Sequence, residues 1–176
     1  VPIVTACREM SETKTGALIV IGQQSDLRLI AEGGIALDAK VSTSLLKNIF
    51  FKNAPLHDGA VLIEGDRIVA AKCILPVTQS DVPKSYGTRH RAALGISETT
   101  DAVALIVSEE TGIISMAREG KLTRYLDAKA LAQILTDLFQ AESARSIPAR
   151  LQHRYAVRKP APAQKAEDTS GEADRS

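Results

Sequence analysis

Cysteine is scarce in this chain of 176 residues, which has only Cys7 and Cys73. Their spacing fits neither a zinc cluster nor a Cys-x-x-Cys redox pair, so the sequence predicts two buried free thiols in a reducing compartment. An excess of charge of one sign is also missing: 22 Lys and Arg stand against 21 Asp and Glu, a formal net charge of +1. Surfaces that track a phosphate backbone carry a strong basic excess, so no nucleic-acid partner is expected and any anion site must be local. With 11 Gly and 7 Pro, the composition is neither collagenous nor that of a disordered chain. No apolar run approaches the roughly 18 residues that cross a bilayer, and no signal peptide is visible. The chain begins at Val1 rather than Met, so a piece of a longer protein is expected, with any membrane segment lying outside it.

What is present suits one well-filled core: 44% hydrophobic and 24% charged residues over a length that leaves little room for a second domain. Apolar residues at Ile3, Cys7 and Met10 are spaced for a helix over 3–14 that stops before Gly16. "ALIVIG" reads as a buried strand, and Gly33-Gly34 as a point of close backbone approach or positive φ. Ser42 is the expected N-cap of a helix "TSLLKNIF". Two strands joined at Gly65-Asp66 follow, then a polar surface loop over 76–86. A helix with Thr88 as its N-cap comes next, then the strand "AVALIV" and a hairpin around Glu119-Gly120. Asp127 caps an amphipathic helix "AKALAQILTDLFQA". The mixture predicts an α/β fold: a single-domain α/β/α sandwich whose central mixed β-sheet is flanked by helices. The domain is expected over 1–145. The Arg-, Pro- and Ala-rich, then acidic, segment 146–176 lacks apolar periodicity, and a disordered tail is expected there.

Three short stretches carry candidate chemistry. In "GTRHRAALG", Arg89, His90 and Arg91 occupy the first turn of a helix, where the macrodipole favours acids. Either an anion compensates there, gripped by the Thr88 hydroxyl, the free N–H groups and an Arg fork, or the segment is a surface helix start salt-bridged to Asp81 or Glu98. Consecutive helical residues diverge by about 100°, so the three basic side chains cannot all hold one group. In "HDGA", Asp58 beside the bare backbone of Gly59 can accept a proton from a hydroxyl, and a neutral His57 can ligate a divalent metal. The competing reading is an Asx-type turn before a strand. In "VSEET", Ser108, Glu109 and Glu110 end an apolar strand, where ligand sites of open α/β sheets lie and where hard cations find oxygen donors. Solvated loop acids are the alternative.

Taken in order, "DGA" at 58–60, "GTRHRAALGISE" at 87–98 and "VSEETG" at 107–112 resemble the bacterial diadenylate cyclase domain family over roughly residues 1–140. The flow from "PLHDGA" into the hairpin and on to "LP" resembles the membrane-anchored class. The resemblance implies condensation of two ATP into cyclic di-AMP with release of pyrophosphate, across a transient face-to-face homodimer. It implies that Asp58 engages the 3′-hydroxyl, that Gly59 allows close approach, and that Thr88, Arg89, His90 and Arg91 orient the triphosphate. His57 and Glu110 match positions associated with a divalent cation, Mg2+ or Mn2+. Leu75 matches one whose backbone reads the adenine edge, and Ser108 one lining the nucleotide pocket. Ile74 stands where related cyclases often have an aromatic residue, and an aliphatic face there can still pack against a base. The implied location is a cytoplasmic domain anchored to the bacterial cell membrane in the full-length protein. A sensor that holds ATP or cyclic di-AMP without turnover, or a domain that contacts a protein partner through its charged loops, remains the alternative.

Overall fold

The computed structural model describes residues 1–144, so the expected tail over 146–176 lies outside the described residues. In chain order the elements are α1 (Pro2–Glu12), β1 (Ala17–Ile21), α2 (Arg28–Glu32), β2 (Ile35–Lys40), α3 (Thr43–Phe50), β3 (Ala60–Glu64), β4 (Arg67–Cys73), α4 (Thr88–Thr99), β5 (Val103–Val107), β6 (Ile114–Arg118), β7 (Lys121–Thr123) and α5 (Ala128–Ala144). The strands form a seven-stranded sheet in the order β2-β4-β3-β1-β5-β6-β7. Only β1 and β3 run parallel, so the sheet is mixed.

Side chains alternate across a strand, and here the alternation divides the core in two. Ala17, Ile19 and Ile21 of β1 join Val61, Ile63, Val103 and Leu105 against α1, α3 and α5, through Ile3, Met10, Leu46, Phe50, Leu131 and Leu135. On the opposite face Leu18, Val20, Leu62, Ala104 and Ile106 pack against α2 and α4 through Leu27, Ala31, Ala93, Leu94 and Ile96. This is the expected α/β/α sandwich. Because β1, β3 and β5 are covered on both faces, their sequences read as unbroken apolar runs.

Local chemistry sets the boundaries. Lys14 closes α1 with φ 51°, while the Thr15 and Lys14 N–H groups donate to Met10 and Ser11 carbonyls, a Schellman ending. Ser42 caps α3 by accepting from the Leu45 N–H at 3.2 Å, and Asp127 accepts from the Ala130 N–H at 2.7 Å. Both thiols are buried and free. Burial pushes Cys7 up to about 12 and Cys73 up to about 11, which keeps both protonated and unreactive.

Three features depart from the sequence reading. The N-cap of α4 is Gly87, and Thr88 is the first helical residue with no side-chain capping bond. Its hydroxyl therefore lies inside the first turn rather than closing it. The short α2 and the strand β2 were not foreseen. Finally, the 76–86 segment is not wholly a surface loop: Thr78 is buried and donates to Glu98 Oε1 at 2.6 Å. Gly95 on α4 permits that contact, since a Cβ there would lie 2.8 Å from the Thr78 nitrogen.

Candidate active site

Strand register brings the three sequence stretches to one end of the sheet. Ala60 at the start of β3 lies opposite Cys73 at the end of β4, so "HDGA" meets the run-out Ile74-Leu75. The parallel register Ile19 to Val61, continued two residues back, sets Ala17 beside Gly59. Ala17 in turn pairs with Val107, whose partner on β6 is Ile114. Asp58 before β3, Gly16 before β1 and Ser108 after β5 thus lie at the same end of the sheet. The start of α4 reaches the same place, because the Arg89 guanidinium lies against Gly16 and bonds Glu109 Oε2 at 2.8 Å.

At the strand mouth, Gly59 has φ 117°. A Cβ there would also come within 2.8 Å of the Lys72 carbonyl carbon and 3.0 Å of the Cys73 oxygen. The backbone of β4 is crowded in because Lys72, with φ 54°, lies where the β3–β4 register slips, a bulge that re-aims the strand end. Gly59 is therefore required by the fold as well as suited to a ligand's approach. Asp58 itself is exposed. The His57 Nδ1 lies 2.6 Å from the Ala54 carbonyl oxygen. A carbonyl can only accept, so Nδ1 carries the proton and the Nε2 lone pair is left free for a ligand.

The basic residues of α4 diverge, as the helical angle requires. Arg89 takes Glu109, not Asp81 or Glu98. His90 is buried, 6% exposed, and stacks on Tyr86 with ring centroids 5.5 Å apart. Burial holds its imidazole below the usual histidine range, reinforced by the Arg124 charge and opposed by Glu110. Arg91 Nε reaches back to the Tyr86 carbonyl at 3.5 Å, so it braces the incoming loop. The first intrahelical donor of α4 is the Arg91 N–H, to Gly87, which leaves the N–H groups before it pointing out of the helix end.

Across the gap, Ser108 folds the acidic turn: its hydroxyl accepts from the Thr111 N–H at 3.2 Å and its carbonyl from the Gly112 N–H at 2.8 Å. Ser11 of α1 donates to the Gly112 carbonyl at 2.5 Å, fastening that turn to the helix. Glu110 is exposed. Leu75 is buried at 7%, whereas Ile74 is 80% exposed and presents the aliphatic face expected beside it.

The profile of the DAC family, described as DisA bacterial checkpoint controller nucleotide-binding, matches residues 4–122. The chain belongs to this family. It is 48% identical over 139 residues to the cyclic di-AMP synthase CdaA of Bacillus subtilis, covering 78% of this chain and 51% of that protein. It is 48% identical over 127 residues to a diadenylate cyclase of Listeria monocytogenes, covering 72% and 46%. The chain thus spans about half the length of these relatives. Among solved structures, a double mutant of DacA from Staphylococcus aureus superposes with a TM-score of 0.77 at 44% identity, over 78% of this chain and 93% of that one. A hypothetical membrane spanning protein from Bacillus cereus gives 0.69 at 46% identity, over 71% and 62%.

Within this DAC domain, Tyr86 and Arg124 escaped the sequence reading. The Arg124 guanidinium lies 5.6 Å from the Tyr86 ring centroid and 5.2 Å from that of Tyr125, which completes a Tyr86–His90–Arg124 stack under the start of α4. Arg124 is far from the other two in sequence, and periodicity gives no signal for the contact. Gly16 escaped too, although an unexplained glycine directly before a buried strand was a usable hint.

Proposed function

We propose that this chain is the catalytic domain, over 1–145, of a diadenylate cyclase that condenses two ATP into cyclic di-AMP. What supports this most is strand register that sets the Asp58-Gly59 and Ser108–Glu110 segments at the sheet end to which Arg89 reaches, in a family whose relatives carry cyclase names. In the reaction the 3′-oxygen of each ATP forms a bond to the α-phosphorus of the other. The α–β phosphoanhydride bond breaks and pyrophosphate leaves. Asp58 accepts the 3′-hydroxyl proton. Thr88, Arg89 and the outward N–H groups of α4 hold the triphosphate, with His90 and Arg91 keeping the helix start in place. Leu75 and Ser108 flank the nucleotide, and Ile74 packs against the base. Positioning and charge neutralisation supply most of the barrier lowering in such a transfer.

One sheet end offers one half of this geometry, so two subunits must face each other. A divalent cation, Mg2+ or Mn2+, fits only partly: His57 Nε2 is free and Glu110 is exposed. Among the described residues, however, no group of three His, Cys, Asp or Glu side chains could hold a metal. His57 and Glu110 would be the residues that hold the ion, and the chemistry it would supply is charge neutralisation at the phosphates. No helix among the described residues is long and apolar enough to cross a membrane. A cytoplasmic domain anchored through a segment outside this chain agrees with the membrane-spanning Bacillus cereus protein.

Incubation with ATP and either cation, followed by chromatography, tests the proposal. It predicts cyclic di-AMP and pyrophosphate. ATP binding without product would favour a sensor that holds the nucleotide unchanged.

A further inference from the structure

Gly16 has no backbone reason to be glycine, since it is absent from the residues of positive φ. What it lacks is room. A Cβ at this position would lie 2.6 Å from Arg89 Nη1, 2.8 Å from Arg89 Cζ and 3.0 Å from Glu109 Cβ. Real Cβ atoms essentially never approach heavy atoms this closely, so the guanidinium fills the volume that a side chain at 16 would take. Glu109, whose Cβ also borders this space, holds Nη1 through Oε2 at 2.8 Å. Arg89 is the better sheltered partner, with its side chain 21% exposed against 62% for Glu109. Both constraints come from the protein's own atoms.

We propose that Gly16 is a positioning residue, which by its missing Cβ seats the Arg89 guanidinium against the start of β1, paired with Glu109, where it meets the triphosphate. The proposal rests on the cyclase reading for the role of Arg89. The seat belongs to the sheet end rather than to α4, so it fixes the long Arg side chain relative to that end, where Asp58 and Ser108 also lie. A side chain at 16 must push the guanidinium aside by about an ångström, a misplacement that can cost about a hundredfold in rate. The backbone tolerates alanine here, so the fold should hold.

The test compares the wild type with Gly16→Ala, Arg89→Ala and the double variant in cyclic di-AMP formation, ATP binding by calorimetry and thermal midpoint. Gly16→Ala should lose about tenfold to a hundredfold in kcat/KM, with its midpoint close to that of the wild type. In the Arg89→Ala background the same change should cost nothing more, because the group it displaces is gone. Wild-type rates for Gly16→Ala, or equal losses with and without Arg89, would overturn the seat. If the wild type binds ATP but forms no product, the cyclase reading falls alone, and the same non-additivity is then read in ATP affinity. A crystal structure of Gly16→Ala needs no nucleotide at all: the Arg89–Glu109 pair should be broken or shifted, and an unmoved pair would contradict the proposal.

Discussion

Asp58→Asn keeps the size and shape of the side chain and removes only its capacity to take a proton. Product formation should fall by at least about a hundredfold, with ATP affinity, measured by calorimetry, little changed. Retained turnover would remove the role given to Asp58. His90 makes a second prediction at this scale. Its pKa lies below the ordinary 6.5, chiefly because it is buried and also because Arg124 is close. The unfolded chain therefore binds the proton first as pH falls. The contribution of His90 to stability is full above about pH 6.5, the value in the unfolded chain, and is lost as pH falls through the lower folded value. Urea midpoints measured from pH 7.5 to 5 should drop more steeply for the wild type than for His90→Gln. Equal slopes would show that another group governs the acid limb.

Among the elements, α4 depends on a glycine of a different kind. A Cβ at Gly95 would meet backbone atoms, lying 2.7 Å from the Pro76 carbonyl carbon and 2.8 Å from the Thr78 nitrogen, and backbone cannot swing aside as the Arg89 side chain can. Gly95→Ala should lower the unfolding free energy by about 1–3 kcal/mol, read from urea midpoints, and an unchanged midpoint would contradict the packing described. Legibility in the sequence also varies by element. β1, β3 and β5 could be read because burial on both faces leaves unbroken apolar runs, and α3 and α5 because Ser42 and Asp127 announce their starts. β2 could not: as an edge strand its residues are mostly exposed or half-buried, and a register slip between Ala36 and Ala39 spoils its alternation. The five-residue α2 has no capping side chain to mark it. In the site, the stretches themselves were visible, but the partners were not. Arg89 reaches Glu109 only because α4 packs against β5, and Tyr86 meets Arg124 only across the fold.

For the molecule as a whole, the proposed reaction gives the sheet end one nucleotide to hold, and bond formation between two nucleotides would then need a second copy facing it. The proposed dimer rests on that stoichiometry and on symmetry, which would give an isologous pair in which each site acts on the other's ATP. The most direct measurement is the initial rate of cyclic di-AMP formation per subunit at saturating ATP with Mn2+ or Mg2+, taken over a range of protein concentration with mass monitored in parallel. Cyclic di-AMP should be the product, and the rate per subunit should rise with concentration until the dimer dominates. No cyclic di-AMP at any concentration, or a constant rate per subunit from a proven monomer, would contradict the proposal.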